Sequence, residues 1–77
     1  MSDIKAIPII ITRSVILTIV TKKNGMGMGC HTDLEFGISH GDGSARLVAQ
    51  VPTADDLEKI GQDFLEAAKV RRAMESL

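Results

Sequence analysis

The C-terminal stretch Thr53–Ser76 reads TADDLEKIGQDFLEAAKVRRAMES and decides the fold, because it has the features of one amphipathic α-helix. Thr53 is a residue type that caps helix N-termini well, and Asp56, three positions later, approximates a capping box. Acidic side chains near the start and Arg71 and Arg72 near the end both suit the helix dipole. The pattern predicts a helix over residues 53–76.

Apolar residues at helical spacing form a stripe along one side of this helix. The stripe consists of Leu57, Ile60, Phe64, Ala67, Ala68 and Met74. Arg71 falls inside the stripe. Either the helix leaves the core near Arg71, or the stem of Arg71 lies on the sheet with its charged head in water.

The residues before the helix, 4–52, alternate between apolar and polar positions, as strands of a half-buried sheet do. The predicted strands are Ala6–Thr12, Ser14–Lys23, His31–Ser39 and Ala45–Val51. Turn signals occur at Lys22–Gly25 and His40–Gly43. Whether residues 6–23 form one bent strand or two stays open, because Arg13 and Ser14 lack tight-turn chemistry.

These elements predict one α+β domain over residues 1–77, with the order ββββα. A small, mostly antiparallel sheet of about four strands is followed by the C-terminal amphipathic helix, packed on one face. The chain has a single cysteine, so no intrachain disulfide is possible. The apolar run Ile7–Val20 is interrupted by Arg13 and is too short to span a bilayer. With no recognisable export signal, we expect a cytoplasmic protein that does not bind membranes.

The two faces of the predicted sheet differ in character. The inner face, toward the helix, takes Val15, Leu17, Ile19, Leu34, Phe36, Ile38 and Leu47. The outer face takes His31, Asp33, Glu35, Arg46 and Gln50 together with Ile10, Ile16, Val20 and Val48. Exposed apolar patches on soluble chains usually mark interfaces. We therefore expect a homodimer, formed by sheet-face packing or by pairing of edge strands.

The first functional hypothesis is a non-enzymatic protein-interaction module. Its candidate partner-binding residues are Ile16, Val20, Asp33, Glu35, Arg46, Val48, Arg71 and Arg72. Small chains without a catalytic signature are common among phage and mobile-element accessory proteins, which suggests a protein that binds and inhibits a host protein. That suggestion rests on frequency and not on any residue.

A soft-metal site is an alternative hypothesis, because two thioethers, a thiol and an imidazole occur close together at Met26, Met28, Cys30 and His31. The same glycine-rich segment is equally typical of a hairpin end. No resident cofactor is predicted, since a phosphate-binding glycine loop precedes a helix and this one precedes a strand. Cys30 and His31 are adjacent on a predicted strand and point to opposite faces, so they do not predict an enzyme.

Binding of nucleic acid or a nucleotide through the sheet is the other alternative, with Arg13, Lys22, Lys23 and Arg46 as the basic residues. The element order is similar to that of the positive-cofactor-four type of single-stranded DNA-binding fold, which implies binding through the sheet. Nine basic and ten acidic residues give a net charge of −1, whereas nucleic-acid binders usually have a basic excess. Phe36 and Phe64 are the only aromatic residues available for stacking on bases.

Overall fold

The structure, a computed structural model, describes residues 4–24 and 29–77, apart from the side chain of His40. The elements are β1 (Ile4–Thr12), β2 (Val15–Lys23), β3 (Cys30–His40), β4 (Gly43–Val51) and α1 (Ala54–Glu75). They confirm the predicted α+β class with the order ββββα. The strands form one sheet in which each strand pairs antiparallel with the next, in the order β1-β2-β3-β4.

The connection between β1 and β2 resolves the question that the sequence left open. Arg13 and Ser14 form a turn between two separate strands. The pairing register shifts between Ile10 and Thr12, and the Ser14 N–H donates to Thr12 Oγ1 at 3.2 Å. A bulge and a local side-chain hydrogen bond thus close this turn without glycine, asparagine or aspartate.

The turn between β3 and β4 follows the predicted chemistry. Gly41 has φ 56°, in the left-handed region that glycine adopts without a steric penalty. Between β2 and β3, the Asn24 N–H donates to the Gly29 carbonyl at 2.7 Å and closes the base of the connection. The remainder of the turn predicted there, at Gly25, lies outside the described residues.

The helix begins and ends within one residue of its predicted bounds. Thr53 Oγ1 accepts from the Asp56 N–H at 3.1 Å and donates to Asp56 Oδ2 at 2.9 Å, so the predicted N-cap is confirmed. At the other end, the Ser76 N–H donates to the Arg72 carbonyl at 3.2 Å.

The core is small for this length. Among the described residues, the buried apolar side chains are Leu17, Val20 and Val51, with Thr32 as a buried polar neighbour. The Cα radius of gyration is 15.6 Å, whereas a compact domain of this length has one of about 11 Å. The molecule is therefore elongated and buries little of its own apolar surface.

Candidate interaction surfaces

The inner face is apolar from one edge of the sheet to the other. Cross-strand pairing places Ile9, Leu17, Phe36 and Leu47 in one row, since each pairs with the next. The adjacent row consists of Ile7, Ile19, Leu34 and Ala49. All of the residues predicted for the inner face share it by register, and β1 adds isoleucines to them.

Helix α1 covers only part of the inner face. Leu57, Ile60, Gly61 and Phe64, from its first half, line a cleft of about 490 Å³ with inner-face residues of β1, β2 and β3. No residue of α1 is buried. Only the first half of the helix thus faces the sheet, across this open cleft.

The second half of α1 extends past the sheet. Among the described residues, a shallow groove along it is lined by Ala67, Val70, Arg71, Met74 and Glu75, all of which belong to α1. The Arg71 side chain is largely exposed, and its Nε lies 3.5 Å from Glu75 Oε2. Of the two interpretations of Arg71, the helix leaving the core is the one observed. Arg71 and Arg72, both candidate partner-binding residues, are exposed.

The sequence pattern did not indicate this uncovered apolar surface. Leu47 is 63% exposed and Phe64 is 61% exposed, although the sequence pattern assigned both to the interior. Comparing the width of the sheet with that of the helix could have indicated this surface. Four strands about 4.8 Å apart form a sheet that is wider than one helix about 10 Å across. A single helix therefore leaves part of a four-stranded face open.

The outer face combines paired charges with apolar side chains. Glu35 and Arg46 form an ion pair, and Val48 lies directly opposite Glu35 in the ladder. Ile16 and Val48 are exposed there. Val20, predicted as a partner-binding residue, is only 7% exposed and is one of the core residues. Its neighbour in the ladder, Asp33, is half-buried.

His31 is held by polar neighbours at both ring nitrogens. Its Nδ1 lies 2.6 Å from Asn24 Oδ1, which accepts the hydrogen bond, and its Nε2 lies 3.8 Å from Asp33 Oδ2. Cys30 is exposed and lies opposite Lys23 in the ladder. Within the part of the chain that is described, no three His, Cys, Asp or Glu side chains group in a way that could hold a metal ion.

The other two ligands of the soft-metal hypothesis, Met26 and Met28, lie outside the described residues. That hypothesis therefore stays a prediction. His31 takes part instead in the polar network of the outer face.

The predicted basic residues do not form one surface. Arg13 and Arg46 line a groove of about 380 Å³ at one end of the sheet. Lys22 and Lys23 lie at the opposite end of β2 from that groove. The same groove is also lined by three serines, Ser14, Ser39 and Ser44. Two guanidinium groups with neighbouring hydroxyls could bind a phosphate, although the Arg46 charge is already paired with Glu35.

The chain matches no protein-family model, and comparisons with curated proteins and with solved structures give no significant match. The similarity to the positive-cofactor-four type of fold thus rests on element order alone. No helix in the described part of the chain combines the length and apolar character that a bilayer span requires.

Proposed function

We propose that this chain is a small, non-enzymatic protein-interaction module that acts as a homodimer and binds a protein partner through the outer face of its sheet. The observation that carries the proposal is the uncovered inner face, which one helix leaves partly open to water. The expected role as an inhibitor of phage or mobile-element origin and the expected cytoplasmic location stay predictions, since no described residue bears on them.

The free energy of folding supports association with a second copy. Ordering each residue costs about 1–2 kcal/mol of backbone entropy, which burial of apolar surface has to offset. The buried apolar side chains of the described residues are Leu17, Val20 and Val51. Covering one further large apolar side chain contributes about 1.5–3 kcal/mol. Association that hides the inner face therefore supplies stabilisation that the single chain lacks.

The outer face supports a protein partner. Ile16 and Val48 are exposed beside the Glu35–Arg46 ion pair. Apolar contact area bordered by charged groups is the usual composition of a protein-binding patch. If the inner face is covered in a homodimer, the outer face is the sheet surface that stays available.

Affinity capture with the wild-type chain and two variants tests the partner-binding face. Val48→Glu changes the outer face, and Leu65→Glu changes an exposed apolar residue on α1 as a matched control. We expect the wild type and Leu65→Glu to retain one stoichiometric protein partner, and Val48→Glu to lose it while staying dimeric. Equal capture by all three would exclude the outer face, and sedimentation as a monomer at high micromolar concentration would exclude the homodimer.

The groove between Arg13 and Arg46 favours a second candidate function, binding of a phosphate-bearing ligand such as a nucleotide or an oligonucleotide. Fluorescence anisotropy of labelled oligonucleotides over a series of salt concentrations tests it, because phosphate contacts weaken steeply with salt. Salt-dependent binding that Arg13→Ala removes would support this candidate. Binding that is absent at low salt would reject it.

A further inference from the structure

The geometry points to the surface through which two copies associate. We infer that the apolar side of the second half of α1, with Ala67, Val70 and Met74, lies over the inner face of a second copy, and that the second copy does the same in return. This inference rests on the proposed homodimer and names its interface. It replaces the expected outer-face and edge-strand modes of association with a reciprocal arrangement of the two helices.

The chain exposes both halves of a complementary contact. Its inner face keeps apolar side chains such as Ile7 and Leu47 about half exposed or more, and its helix has an apolar groove beyond the edge of its own sheet. A two-fold axis makes the same pair of surfaces meet twice, so one association covers both open surfaces on both copies. An unrelated partner would have to supply an apolar helix and an apolar sheet face together.

The exposed area matches what a stable dimer needs. Six large apolar side chains on these two surfaces are 49–67% exposed: Ile7, Ile11, Leu47, Phe64, Val70 and Met74. They offer roughly 600 Å² on each chain, so complete burial on two copies would hide roughly 1,200 Å², at the lower end of the range of about 1,200–2,000 Å² for specific interfaces. The surface is thus large enough for one symmetric partner.

Charge along α1 sets the direction of the two helices. Residues 54–64 contain four acidic side chains and one basic side chain, whereas residues 65–75 contain three basic and two acidic ones. An antiparallel pair places the acidic first half of one helix beside the basic second half of the other. A parallel pair would place the two basic second halves side by side, with like charges near each other.

The spacing of the stripe lets one side of α1 contact two sheets. Leu57, Ile60, Phe64, Ala67, Arg71 and Met74 follow one another at alternating intervals of three and four residues. That spacing gives one continuous apolar side, whose first half faces its own sheet and whose second half is left for the sheet of the second copy.

Thiol reactivity of the intact protein tests the interface. In a Cys30→Ser background, which removes the exposed native thiol, Met74→Cys and Leu65→Cys each place one thiol on α1. Met74 and Leu65 are 67% and 68% exposed in the single chain, but only Met74 lies in the stripe. Without a second copy, the two thiols should react with a maleimide at similar rates.

At concentrations where sedimentation shows a dimer, we expect the Met74→Cys thiol to react at least tenfold more slowly than the Leu65→Cys thiol. The difference should disappear on dilution to the monomer. A Met74→Cys variant that is monomeric while Leu65→Cys is dimeric would also support the interface.

Equal rates in an intact dimer would overturn the interface and leave the homodimer standing. A monomeric parent at high micromolar concentration would overturn both. Protection of the Met74→Cys thiol in a monomer would show that another occupant covers the stripe, and would likewise overturn the inference.

Discussion

The inner and outer faces of the sheet come from the same four strands, yet their relation to water differs. On the inner face, Leu17 lies between Ile9 and Phe36, and the row continues to Leu47 without a polar group. On the outer face, an ion pair interrupts the apolar side chains. A mixed surface stays solvated alone, whereas a continuous apolar one requires a cover. The face that alternation assigned to the core is thus the face with a continuous apolar surface that its own helix leaves partly uncovered.

The largest effect should come from the centre of the inner face. Leu17 is 4% exposed, so Leu17→Ala should lower the free energy of unfolding by about 2–5 kcal/mol. Ile10→Ala, at an exposed position of the outer face, serves as the control and should change it by less than about 0.5 kcal/mol. Urea unfolding measures both, and equal losses would mean that the two faces do not differ in this way.

Substitutions of two adjacent residues of β4 should have an effect of intermediate size, and they compare the two faces of the sheet directly. Leu47 on the inner face and Val48 on the outer face are both at least half exposed. Threonine suits strands, so Leu47→Thr and Val48→Thr should both preserve β4. Sedimentation equilibrium should show that Leu47→Thr raises the dimer dissociation constant at least tenfold and that Val48→Thr leaves it unchanged. The opposite result would move the dimer interface to the outer face.

The smallest effect should come from the outer-face ion pair. The Arg46 side chain is mostly exposed to water, so Glu35→Gln should lower the free energy of unfolding by less than about 1 kcal/mol. The difference from the wild type should shrink further in about 1 M salt, because salt screens exposed charges. A salt-independent loss above about 2 kcal/mol would place this pair in the core and not on a binding surface.

Much of the fold could be predicted from local chemistry. Thr53 identified the start of the helix, and Gly41 supplied the left-handed conformation of the last turn. The turn at Arg13–Ser14 could not be predicted, because a bulge and the Thr12 hydroxyl close it in place of the usual turn residues. Residue types thus predict the structure where a single residue determines the local backbone conformation.

The uncovered apolar surface of the inner face and of α1 was harder to predict. Periodicity shows which side of a helix or strand is apolar, but not how much of that side other elements cover. Phe64 belongs to the predicted stripe and is nevertheless exposed. Val20 is the converse, since it lies on the outer face and is nevertheless buried. The exposure of a side chain depends on the widths of the sheet and the helix and on the angle between them. A short stretch of sequence does not determine these quantities.

The strand order has a consequence for how the protein assembles. Each strand pairs with its neighbour in sequence, so the sheet forms by successive closure of short hairpin loops at small entropic cost. In the proposed homodimer, covering the inner face is a bimolecular step that follows this fast local folding. The time for which the apolar inner face stays exposed to water is then set by the concentration of newly made chains. At a low concentration of these chains the inner face stays exposed longest, and it can then bind other exposed apolar surfaces.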